Sequence, residues 1–119
     1  MKISELTTKI QQHAKKIITH DIELIHNNIE LNEKELVLIN NYHTLCTKLV
    51  KMERYELEKL TIDKDLKTKL YIMLEALEKD TTFLVKALKN NDTDVFEEKI
   101  EPYLKNIDKL LELETKLKI

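Results

Sequence analysis

The chain of 119 residues carries 20 basic and 22 acidic side chains, a net charge of −2 and no glycine. Average usage near 7% would supply about eight glycines. Their absence excludes the P-loop and the dinucleotide-binding fingerprint, which bring backbone against phosphate through glycine, and the even charge balance lacks the concentrated basic face of a nucleic-acid binder.

The first helix is expected from about Ser4, as N-cap, to Leu31. Ile3, Ile10, Ile17, Leu24 and Leu31 recur every seven residues, and Leu6 completes the first a/d pair. The d positions on that frame read Leu6, His13, His20 and Asn27, so polar groups fall in line with an apolar seam. A second stripe, Ile18, Ile22, Ile25 and Ile29, is rotated away from the first. Surplus apolar surface of this kind is either buried inside a bundle or offered to a partner.

Asn32 followed by Glu35 has the form of a capping box and opens the second helix. Its core candidates are Leu38, Tyr42, Leu45, Leu49 and Met52, flanked by Ile39, Cys46 and Val50. The segment Thr61 to Asp65 is the next break, with Asp63 as N-cap, although without Gly or Pro it could remain helical. The third helix carries Leu66, Leu70, Met73, Leu77, Leu84 and Leu88. Asn90-Asn91-Asp92-Thr93 is the clearest turn, because Asn and Asp bond their own backbone locally. Asp94 with Glu97 repeats the capping-box pattern, and Thr93 is the rival cap. Phe96, Ile100, Tyr103, Ile107, Leu110 and Leu117 mark the last helix, with Pro102 inside it. An interior proline loses a hydrogen bond and crowds the preceding turn, which predicts a kink or two shorter helices.

Segments of about 25 residues and short connections predict an all-α fold, an antiparallel four-helix bundle in one domain over 1–119, as a monomer or a dimer. The rival is a pair of longer helices that dimerise. The polar N-terminal segment MKISELTTKIQQHAKK has no continuous apolar stretch of the signal-peptide kind. No apolar run approaches the roughly 20 residues that span a bilayer. A single cysteine, Cys46, allows no intrachain disulfide and suits a reducing compartment. A cytoplasmic protein without membrane attachment is the expectation.

Histidine placement gives the one hint of metal chemistry. A hairpin turning near Asn32 puts His20 level with His43, and Glu23 and His26 form a Glu-x-x-His pair on one helical face. In di-iron bundles that spacing supplies a carboxylate and an imidazole to one metal, matched by a second such motif; here the second is missing. The simpler reading makes His13, His20 and Asn27 polar seam residues that fix register. Cys46 has His43 three residues before it, but it lies on an apolar stripe and reads as a buried thiol. Lys48, Lys51 and Arg54, with Lys64, Lys67 and Lys69, are diluted by interleaved acids and read as solvated helix faces. Asp92 to Ile119 holds eight acidic residues against five lysines, which disfavours phosphate or anionic lipid there.

The leading expectation is a small non-enzymatic interaction module, such as an adaptor, assembly factor, export-chaperone-like protein or inhibitor. It would bind another protein, or a second copy of itself, through Ile18, Ile22, Ile25 and Ile29, with no catalytic residues and no cofactor. The second expectation is a metal-binding bundle using His20, Glu23, His26 and His43. The third is a weak nucleic-acid binder.

Overall fold

The computed structural model describes residues 2–26 and 31–119, with side chains described for 2–20 and 31–119. Four helices follow in order: α1 (Ile3–His26), α2 (Glu33–Lys59), α3 (Lys64–Lys89) and α4 (Thr93–Lys116). Each helix packs on two others, α1 and α3 each on both α2 and α4, so the chain forms an all-helical bundle. None of the described helices is long and apolar enough to cross a membrane.

The ends of the helices follow local chemistry. Asn32 accepts from the Glu35 backbone N–H at 3.0 Å, and Glu35 reaches back to the Asn32 N–H, which completes the capping box. Helix α2 ends at Lys59, and the segment through Asp63 is not helical, so α2 and α3 are separate. Asp63 occupies the N-cap position of α3 without a side-chain bond. The exposed carbonyls at the end of α2 are taken up by Lys67, whose Nζ donates to the oxygens of Glu58 (3.0 Å) and Leu60 (3.2 Å).

Two of the expected caps move. Helix α1 already begins at Ile3, so Ser4 lies inside its first turn, and the Ser4 N–H donates to the carbonyl of Ile119 at 3.0 Å. Helix α4 begins at Thr93 with Asp92 as the cap, accepting from the Val95 N–H, so neither Asp94 nor Thr93 fills that role. The cap falls on Asp92 because the turn before it closes the end of α3. Asn91 takes a left-handed φ of 52°, the Asp92 N–H reaches the Ala87 carbonyl at 2.9 Å, and the Asn91 N–H reaches Leu88. That is a Schellman ending with Asn in the place glycine usually fills. Helix α4 ends the same way around Lys118, with φ 58° and Ile119 N–H to Glu114 carbonyl at 3.1 Å. Helix α4 runs unbroken through Pro102, which excludes the expectation of two shorter helices.

The core follows the expected stripes on α1 and α4: Ile3, Leu6 and Ile10 on one, Phe96, Tyr103, Ile107 and Leu110 on the other. On α2 the expected face is rotated. Leu38 and Met52 are 48% and 41% exposed, while Ile39, Tyr42, Cys46, Leu49, Val50, Glu53 and Leu57 are buried. The expected frame through Leu38, Leu45 and Met52 therefore loses to one that carries a glutamate inward.

Candidate functional site

The expected site residues separate on folding. Ile18 is 6% exposed and belongs to the core, so that position takes the burial alternative and is withdrawn from the contact surface. Ile22, Ile25 and Ile29 lie outside the described side chains, as do Glu23 and His26. His13 and His20 are exposed, so these two do not sit in a buried seam. His43 has its own partner, with Nε2 3.0 Å from the Thr82 hydroxyl on α3. Among the described residues no group of three or more His, Cys, Asp or Glu is arranged to hold a metal ion. Of the basic residues, Lys48, Lys51, Lys64 and Lys69 face solvent, Arg54 pairs with Glu78 at 3.2 Å, and Lys67 serves the end of α2.

Two polar clusters lie inside the bundle instead. The first is a belt of hydroxyls in its middle. Tyr42 on α2 and Tyr103 on α4 are bonded hydroxyl to hydroxyl. Thr81 on α3 lies 2.8 Å from the Tyr103 hydroxyl and 3.3 Å from the Cys46 sulfur. Burial pushes the Cys46 thiol up to about 11, with the Thr81 bond opposing and the negative field of Glu53 adding to it. Burial likewise drives both phenols well above their ordinary range. Every member is therefore neutral near pH 7, and Cys46 is not poised as a nucleophile, since the thiolate is the reactive form.

The second cluster lies where α1 begins and α2 and α4 finish. Thr7, Glu53 and Glu114 are each completely buried. The Thr7 Oγ1 is bonded to Oε1 of Glu53 and to both oxygens of Glu114, with 2.8 Å to Oε2 of the latter. The second oxygen of Glu53 has no hydrogen-bond partner. Burial, then the neighbouring Glu114 charge, raises Glu53 to about 9 against the Thr7 bond. Burial raises Glu114 to about 7, again opposed by Thr7. Carboxyls this close titrate as a pair rather than singly.

Sequence reasoning missed these two acids, yet a signal was present. Glu53 stands in phase with Cys46, Leu49, Val50 and Leu57, and Glu114 with Tyr103, Ile107 and Leu110. A Glu at helical spacing within a buried stripe is the mark of a carboxyl carried inward. Neither cluster is built to take a small molecule: the belt is internally satisfied, and the acids are closed off from solvent. No protein-family model, curated protein or solved structure matches the chain.

Proposed function

We propose that this chain is a non-enzymatic helical interaction module, an antiparallel up-down-up-down bundle bent at Pro102, that binds another protein or a second copy through an apolar side formed by α1 and α2. The single observation that carries the reading is the apolar row left outside on α2. Leu38 and Met52 are about half exposed and Leu45 lies between them, one heptad from each. Rows of this kind on an otherwise charged helix attract partner helices. By sequence, Ile22, Ile25 and Ile29 continue an apolar stripe at helical spacing. The short connections, and the bond from Ser4 to Ile119 across α1 and the end of α4, support the antiparallel order.

The test is photo-crosslinking from position 52, with the exposed Lys105 as the control site. An adduct specific to position 52, to a second copy or to one other polypeptide, is the expected result. Light scattering at two concentrations then separates self-association from a different partner. Adducts no more frequent than from position 105 would remove the reading.

A further inference from the structure

The arrangement of Thr7, Glu53 and Glu114 fixes a proton count. A threonine hydroxyl carries one hydrogen, so it donates to one acceptor and must accept from any other partner. Its oxygen is bonded to two carboxyl groups at once. An ionised carboxylate has no hydrogen to give. One of the two carboxyls is therefore the donor, and it is protonated. The orphan oxygen says which one. Glu53 Oε2 is buried without a partner, and leaving a neutral carbonyl unpaired costs far less than leaving a charged oxygen so. Both oxygens of Glu114 touch the hydroxyl, so neither is left without a partner if Glu114 is the charged group.

We propose that Glu53, Thr7 and Glu114 form a proton-locked clasp, in which Glu53 donates to Thr7 and Thr7 to Glu114, and that loss of the shared proton opens this end of the bundle. Two carboxylates on one hydroxyl in an apolar interior repel, and among the described residues no ion pair reaches either of them. Among the described residues the other buried polar or charged side chain is Thr81, in the hydroxyl belt. On α1 the clasp is flanked by Ile3, Leu6 and Ile10. On α2 the two other buried ionisable groups are the Cys46 thiol and the Tyr42 phenol, and on α4 the other is the Tyr103 phenol, all neutral. The buried residues of α3 include no ionisable group. Lys2, Glu5, Glu56 and Lys118 surround the mouth of the same end, with both signs represented and without an ion pair to the clasp among those described.

The sign follows from linkage. Both folded-state values lie above the ordinary 4.5, so the folded chain holds protons that the unfolded chain has released. Stability is fully present below about 4.5, declines as pH rises, and stops declining once pH has passed about 7 for Glu114 and about 9 for Glu53. Within that window each retained proton changes the folded-to-unfolded ratio by up to about tenfold per pH unit.

This inference is independent of any partner. The test is infrared spectroscopy of the whole chain at neutral pH, together with hydrogen exchange across a pH series corrected for intrinsic rates. A protonated-carboxyl band that disappears above pH 9 is expected, with protection lost first around Leu6, Leu57 and Leu110. Glu53→Gln should lose the part of the band and of the pH dependence that lies above about pH 7, because an amide donates to Thr7 without titrating, and keep the part that belongs to Glu114. Absence of the band in the unaltered protein at neutral pH overturns the clasp, even if the variant fails to fold. So does an unchanged pH slope in a folded Glu53→Gln.

Discussion

The two polar clusters inside the bundle solve the same problem differently. The belt of Tyr42, Tyr103, Thr81 and Cys46 joins α2, α3 and α4 through neutral donors and acceptors. The acidic end joins α1, α2 and α4 through groups that change charge near neutral pH. Buried polar groups constrain which helices meet and in what register, because an unmatched donor or acceptor is costly in a dry interior. The belt supplies that constraint at any physiological pH, whereas the acidic end supplies it conditionally. A bundle with both has a steady middle and one end whose closure depends on protonation.

Truncating the belt should give the largest effect. Tyr103→Ala removes a fully buried ring and strips partners from Tyr42 and Thr81, and should cost about 3–5 kcal/mol in urea unfolding. The loss should be the same at pH 6 and pH 9; a loss that grows with pH would mean the belt and the acids are one network. Tyr103→Phe keeps the ring and deletes only the hydroxyl. It should cost about 1–2 kcal/mol, the scale of an unmade buried hydrogen bond, and again leave the pH slope of thermal unfolding intact. The smallest effect sharpens the other side of the comparison. Lys118 holds a left-handed φ of 58° in the turn that closes the acidic end, and Lys118→Gly should gain up to about 1 kcal/mol by relieving it. An equal gain at pH 6 and pH 9 is expected. A gain confined to one of them would show that the ammonium acts on the clasp.

Much of the fold was legible because it rests on local chemistry. Asn32 and Glu35 announce a helix start within four residues, and Asn90-Asn91-Asp92 announce a stop. The first turns of α1 and the stripe of α4 mark their inner faces through Ile3, Leu6 and Ile10 and through Phe96, Tyr103, Ile107 and Leu110, whereas further along α1 burial passes to Ile18 of the second stripe. On α2 two frames compete, Leu38–Leu45–Met52 and Ile39–Cys46–Glu53, one residue apart. Counting apolar side chains picks the first, and the folded chain buries the second. The inward Glu53 meets Thr7, 46 positions earlier in the chain, and Thr7 bonds Glu114, 107 positions from it. No window of one helix contains that compensation. The histidines fail for the mirror reason, since His13 and His20 share a heptad position with Leu6 yet reach solvent.

The sequence alone therefore determined that the chain is helical, that Asn32 opens one helix and Asn90 to Asp92 close another, and that no glycine-built nucleotide loop exists. These depend on residues within a turn or two of one another. Only the tertiary structure decided which side of α2 turns inward, that Ile18 is core, and that two glutamates on different helices share one hydroxyl. Those outcomes depend on the sum of desolvation and hydrogen bonding across several helices, and that sum exists only once the helices have packed.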